Sequence, residues 1–170
     1  GVAMALTVRH GVEPYVEIVD EARDRGADLI VIRRRGKRGF LANLMVGEMV
    51  YKVLAHAPCS VLVALRSARM WRQRVLVGID PHAPDAALLG QAASLAVECG
   101  LPLRVVCVGA NDTARPATQV ALDIALEQAR RLGADADGEL RIGKPHQQLV
   151  EAAHACGADL ITVARHGGDS

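Results

Sequence analysis

Gly26-Ala-Asp-Leu-Ile30 returns 131 positions later as Gly157-Ala-Asp-Leu-Ile161. The same offset carries Pro14 onto Pro145, Ala22 onto Ala153, Arg34 onto Arg165 and Gly36 onto Gly167. One five-residue match can arise by chance, but a match that keeps register across so long a stretch marks a duplicated unit. Its local chemistry is legible. Pro14 and Pro145 suit the first turn of a helix, where a missing N–H costs nothing. Apolar side chains then fall at helical spacing, as Tyr15, Ile18, Val19 and Ala22 in one copy and Leu149, Val150 and Ala153 in the other. Gly26 and Gly157 stand where a left-handed residue ends a helix. The runs Ala27–Ile32 and Ala158–Val163 that follow have the continuous apolar character of buried strands.

Extended outward, the same reading predicts strands over 2–8, 28–33, 60–65, 74–80, 102–108, 138–142 and 159–164. It predicts helices over 13–25, 41–55, 85–99, 117–132 and 145–156. Asp85 is a good N-cap and Gly100 a good helix stop. Strands alternating with helices imply an α/β, Rossmann-like fold, a mostly parallel sheet covered by helices on both faces through right-handed crossovers.

Composition limits the function classes. Of 170 residues, 51% are apolar and 23% charged, with a net charge of +1, which is neither a disordered nor a strongly basic chain. A dedicated nucleic-acid binder is therefore not expected. Aromatic residues make up 2%, too few for stacking on bases. No apolar run approaches a membrane span. Cys59, Cys99, Cys107 and Cys156 form no Cys-x-x-Cys pair and no zinc spacing, and read as reduced, buried thiols of a cytoplasmic protein. Charge is divided along the chain. Residues 1–72 hold 12 basic and 7 acidic side chains, a net +5, and residues 73–170 hold 8 and 12, a net −4.

Arg74-Val-Leu-Val-Gly-Ile-Asp80 looks like the first strand of the universal stress protein family, with its terminal Asp. Ala27–Ile32, then Gly36-Lys-Arg-Gly39, Val46-Gly47 and Lys52-Val-Leu-Ala-His-Ala-Pro-Cys-Ser-Val-Leu-Val-Ala64, look like its fourth strand, glycine loop, last helix and fifth strand. The chain thus resembles the tandem-repeat form of that family over nearly its whole length. The resemblance implies that residues 1–65 are the C-terminal half of one repeat, 66–73 a linker, and 74–170 a second repeat ending before its last helix and strand. A fragment of a longer tandem chain is expected. The alternative is a composite domain in which strand 60–65 completes the second repeat.

Two further expectations follow from the resemblance. In open parallel sheets ligands bind beyond the carboxyl ends of the strands, where the strand order reverses. By the family's order that point lies between its first and fourth strands, where Asp80 and the loop of Gly167 converge. ATP is then a possible ligand, held by Asp80, the strand end at Val108 and the glycine-loop positions Gly36, Gly39, Gly47, Arg165, His166 and Gly167. The phosphate pattern is degenerate. Arg33 and Ala164 occupy the first glycine position, ten residues rather than nine separate Gly36 from Gly47, and Glu48 replaces the final Ser or Thr. The basic run Arg33–Arg38 is either an anion site or a solvated loop. The resemblance also implies a homodimer, or a pseudo-dimer of repeats, joined through strand 60–65. No nucleophile–base pair or metal set is legible in the spacing. The expectation is a regulatory binding module rather than a dedicated enzyme, with a nucleotide-binding switch or a protein scaffold as alternatives.

Overall fold

Gly26 and Gly157, equivalent in the repeat, have φ of +58° and +70°, the left-handed conformation that stops a helix at little cost only when the residue is glycine. A computed structural model describes residues 1, 3–33, 47–65 and 68–165. These residues fall into two units, divided between Arg69 and Met70.

In the first unit, α1 (Pro14–Asp24) leads to β1 (Leu29–Arg33), and α2 (Glu48–His56) to β2 (Ser60–Ala64). β1 and β2 pair in parallel, from Leu29 opposite Ser60 to Arg33 opposite Ala64. One face of the pair, Ile30 and Ile32 with Val61 and Val63, packs on Ala22 of α1 and on Val50 and Val53 of α2. Tyr15 of α1 lies against His56, and the Lys52 ammonium stands 5.2 Å from the Tyr15 ring centre.

The strand expected over 2–8 does not form: residues 3–8 belong to no strand. The alternating Met4, Leu6 and Val8 are 94%, 94% and 71% exposed. Alternation supplies a face, but a strand also needs a neighbour for its N–H and C=O groups. The segment is instead tied to α1 by ions. The Arg9 guanidinium meets Glu17 at 3.0 Å, Glu21 at 2.8 Å and Asp24 at 2.9 Å. Arg9, and after it Arg25, hold the Glu21 carboxyl below its ordinary pKa.

The second unit contains β3 (Val75–Ile79), α3 (Ala86–Cys99), β4 (Leu103–Gly109), a 3₁₀ turn over Asp112–Ala114, α4 (Arg115–Arg131), β5 (Ala136–Ile142), α5 (Pro145–Cys156) and β6 (Leu160–Val163). All pairings are parallel, in the order β5-β4-β3-β6. Val75, Val77, Leu103, Val105 and Cys107 pack on α3 and α4. Leu76, Val106 and Val108 face α5 on the opposite side. This is the α/β arrangement with helices on both faces that the sequence pattern predicts.

The repeat's Asp has a structural task in this unit. The Asp159 carboxylate accepts backbone N–H bonds from Arg72 at 2.6 Å and from Gln73 and Arg74 at 3.1 Å each, fixing the chain's entry into β3. Desolvation works to raise this carboxyl, but the three N–H donors outweigh it and hold the pKa below its ordinary value. The ionised form is therefore favoured by folding. Its contribution is complete above the ordinary carboxylate range near 4 and is lost as pH falls through the lowered folded value. Asp159→Ala should cost about 1–2 kcal/mol at neutral pH, the value of charge-assisted bonds reduced for an exposed site. Urea midpoints measured between pH 7 and 3 should show the gap between variant and parent closing below about pH 4. A gap independent of pH would assign the loss to packing instead.

Candidate functional site

β3 lies centrally in its sheet because Val75, Leu76 and Val77 are fully buried and must be covered on both faces. The chain goes from β3 outward through β4 to β5, then returns to the other side of β3 as β6. The order therefore reverses between β3 and β6, and their carboxyl ends diverge into a crevice. A cleft of about 400 Å³ occupies that position. Its floor and walls include Asp80 after β3, Val108 of β4, and Val163 and Ala164 at the end of β6.

The Asp80 carboxylate accepts the His82 N–H at 2.8 Å, an Asx turn that fixes the loop leaving β3. Three residues on, Asp85 caps α3 by accepting the N–H groups of Ala87 at 2.9 Å and Leu88 at 3.0 Å. Asp80, His82, Asp85 and Leu88 all line the cleft. Beneath it, burial pushes the Cys107 thiol up to about 11, and the Asp80 charge adds to the effect. At neutral pH this thiol is protonated and a poor nucleophile.

The opposite wall depends on two glycines. Gly143, at φ +135°, turns the chain from β5 into α5 and donates its N–H to the Gly109 carbonyl at 2.9 Å. That bond draws the turn to the end of β4 and sets Gly143 and Pro145 into the cleft wall. Gly78 lets α5 approach the sheet closely. A Cβ there would stand 2.8 Å from one Leu149 methyl carbon and 2.9 Å from the other. Leu149 thereby reaches the cleft.

The structure thus brings together Asp80 and Val108 of the expected site. Ala164, the residue in place of the first glycine, joins them, and exposed Arg165 follows it without lining the cleft. Gly47 stands in the other unit, as the N-cap of α2. Gly36, Gly39, His166 and Gly167 lie outside the described residues. The sequence reading missed Gly143, Leu149 and Gly78. Pro145 was legible as a helix start and Asp85 as a cap, but neither as a wall of the cleft.

Among the described residues, no group of three or more His, Cys, Asp or Glu side chains could hold a metal ion. None of the four cysteines is disulfide-bonded. Of the four, Cys107 alone has the expected burial: Cys59 and Cys156 are half-buried, and Cys99 is exposed at the end of α3, beyond the Ala92, Ala93 and Ala96 face that meets the sheet. No helix among the described residues is long and apolar enough to cross a membrane.

The model of the universal stress protein family matches residues 4–64 and again residues 72–170. The chain belongs to the universal stress protein family. Universal stress protein Sll1388 of Synechocystis sp. is 43% identical over 63 residues. That match covers 37% of this chain and 40% of the Synechocystis protein, so the chain spans about two fifths of the curated relative it matches. The fold is also similar to that of a universal stress protein from Archaeoglobus fulgidus DSM 4304, with a TM-score of 0.66 and 22% identity. That likeness covers 92% of this chain and 56% of the other. PA1789 of Pseudomonas aeruginosa PAO1 gives a TM-score of 0.69 at 17% identity, covering 94% of this chain and 60% of that one. At these identities the two structures establish the family's fold alone.

Proposed function

We propose that this universal stress protein chain is a cytoplasmic stress-response regulatory module. It acts by binding a small molecule of the nucleoside or nucleotide class in the cleft of its second unit. The observation that carries this reading is that Asp80 and Val108 line one cleft at the strand-order reversal. Its volume of about 400 Å³ lies within the range of small-molecule sites. The lining is mainly aliphatic, from Ile79, Leu88, Val108, Leu149 and Val163, with Asp80 as a fixed polar group at one end. A largely apolar slot with an oriented carboxylate suits a flat heterocycle or a ribose, whose N–H or O–H groups donate to it. The proposal is binding, carried by the apolar walls and the Asp80 carboxylate of the described lining.

Calorimetric titration with adenosine, AMP and ATP tests the proposal, using the native chain and Asp80→Ala. The native chain should bind at least one of the three. Asp80→Ala should weaken that binding tenfold or more, equivalent to about 1.4 kcal/mol, while lowering the melting temperature by only a few degrees. A large loss of stability with unchanged affinity would reduce Asp80 to the anchor of its Asx turn. Absence of binding by all three compounds at millimolar concentration would remove the ligand-binding reading.

A further inference from the structure

The outer side of α4 carries an apolar strip that the core does not use. Thr118, Leu122, Ala125 and Ala129 turn inward and are buried, and the helix meets β4 and β5 on that side. At about 3.6 residues per turn, the opposite side is centred on Val120, with Ile124 one turn on and Ala117 one turn before. Val120 and Ile124 are 58% and 60% exposed, and Ala117 is exposed as well. A single exposed apolar residue is ordinary, but neighbours at i and i+4 on a helix form a continuous strip. A polar row borders it: Arg115, Gln119, Asp123 and Glu127, each four residues from the last and all exposed. Within one copy these side chains make exposed pairs. Arg115 meets Asp112 at 2.9 Å, the Gln119 amide donates to Asp123 at 2.8 Å, and Glu127 meets Arg131. Pairs of this kind contribute little and exchange readily.

The order of the polar row is its own complement. Laid antiparallel against itself about residue 121, it sets Arg115 opposite Glu127 and Gln119 opposite Asp123, each pair occurring twice by symmetry. We infer that the outer face of α4 docks a second copy of this chain, the two α4 helices running antiparallel about a twofold axis near residue 121. The contact uses the same patch on both copies and so closes on itself. Val120 and Ile124 of the two copies cover one another at the centre. The charged and amide pairs flank them on one side, as the positions beside a coiled-coil seam do. A partner for this face must present an apolar strip bordered by the opposite order of charge, and a second copy does so by symmetry. Val120 and Ile124 lie outside the buried core, so their loss is read in association rather than in the stability of one copy. One helix pair is a small contact, at the reversible end of specific interfaces.

Sedimentation equilibrium on the whole chain tests this, with circular dichroism melting to check that each variant is folded. The native chain should pass from monomer to dimer with a dissociation constant of about 10–100 µM, as suits a small contact. Ile124→Lys should weaken association tenfold or more, because it sets two cations at the centre of the pair. Arg115→Glu and Glu127→Arg should each weaken it severalfold, since like charges then meet at both symmetric positions. An equimolar mixture of those two variants should associate as well as the native chain, because each offers the charge the other lacks. Mixing changes neither chain, so this recovery cannot come from folding. A native chain that stays monomeric at about 200 µM, beyond the range expected of such a contact, would overturn the proposal. Association that Ile124→Lys leaves at native strength would also overturn it, and its loss in Val61→Lys would assign the contact to strand 60–65 instead. A mixture no tighter than its two components would overturn the antiparallel register.

Discussion

Gly78→Ala is expected to bind adenosine at least tenfold more weakly than the native chain while remaining folded. Gly78 lies on the face of β3 turned to α5, with β4 and β6 on either side. The new methyl group would meet two Leu149 methyl carbons at 2.8 and 2.9 Å and Val163 Cγ1 at 3.3 Å. All three are ends of side chains rather than backbone, so the clash is relieved by rotation and not by moving α5. Leu149 and Val163 both line the cleft, and the cleft is the empty space next to them. The strand gains a residue with less backbone entropy to lose than glycine, which offsets part of the crowding. The net cost in stability should be about 1 kcal/mol, within the range for an added methyl in a packed site. The loss of affinity, about 1.4 kcal/mol or more, should therefore exceed the loss of stability. Calorimetry on Gly78→Ala, Leu149→Ala and the double variant resolves the cause. The double variant keeps the new methyl but removes the Leu149 methyl groups it meets, and should recover most of the binding, giving a non-additive cycle. Additive effects, or a Gly78→Ala protein with native affinity, would place the ligand elsewhere.

The elements legible in the sequence are those whose causes are local. α1 and α5 begin at prolines and are followed by left-handed glycines, so the residues that start and stop them lie within the repeat itself. β3, β4 and β6 are mostly apolar runs between such punctuation, while β5 mixes Ala136, Leu140 and Ile142 with charged residues. Their parallel order follows from the alternation with helices. Asp80 and Val108 come from the resemblance: a strand's carboxyl end is a position along the chain, but where the strand order reverses is taken from the family's order.

The rest of the cleft depends on distant partners. Gly143 is one glycine among 16 until its N–H meets the Gly109 carbonyl. Leu149 has the spacing of an ordinary core residue, and only the missing Cβ of Gly78 brings it to the ligand's side. The N-terminal strand is the converse case. Met4, Leu6 and Val8 alternate as a strand should, yet the sequence holds no sign of whether a neighbour is there to pair with them. Ion pairing from Arg9 to three carboxylates of α1 decides the course of that segment instead. Charge positions could be read, but not which of them would meet.

Leu103→Ala should be the most destabilising of the single substitutions considered, by about 2–5 kcal/mol. Leu103 is fully buried at the start of β4, in the cluster shared with α3 and α4. It stands opposite Val75 of β3 on one side and Ala136 of β5 on the other. Its N–H donates to the Asp135 carbonyl at 2.9 Å, and the Val75 N–H donates to the neighbouring Pro102 carbonyl at 3.1 Å. The surrounding backbone is therefore fixed by ladder bonds and cannot collapse far into the cavity left by three missing carbons. Poor relaxation puts the cost toward the upper part of the range. For a unit of roughly 100 residues, each 1 kcal/mol lowers the melting temperature by about 4–8 °C, so a fall of 10 °C or more is expected. Val120→Ala serves as the reference, since Val120 lies on α4 but is 58% exposed, and its loss should be within about 0.5 kcal/mol. Thermal and urea unfolding of the two variants, followed by circular dichroism, compares a residue in the layer between sheet and helices with one outside it. Equal effects would mean that β4 does not present Leu103 to α3 and α4. The strand's alternation would then be out of register, and Val108 would turn away from the cleft. A large and selective loss at Leu103 fixes the register of β4 and, five residues along the same strand on its opposite face, the placement of Val108 at the ligand site.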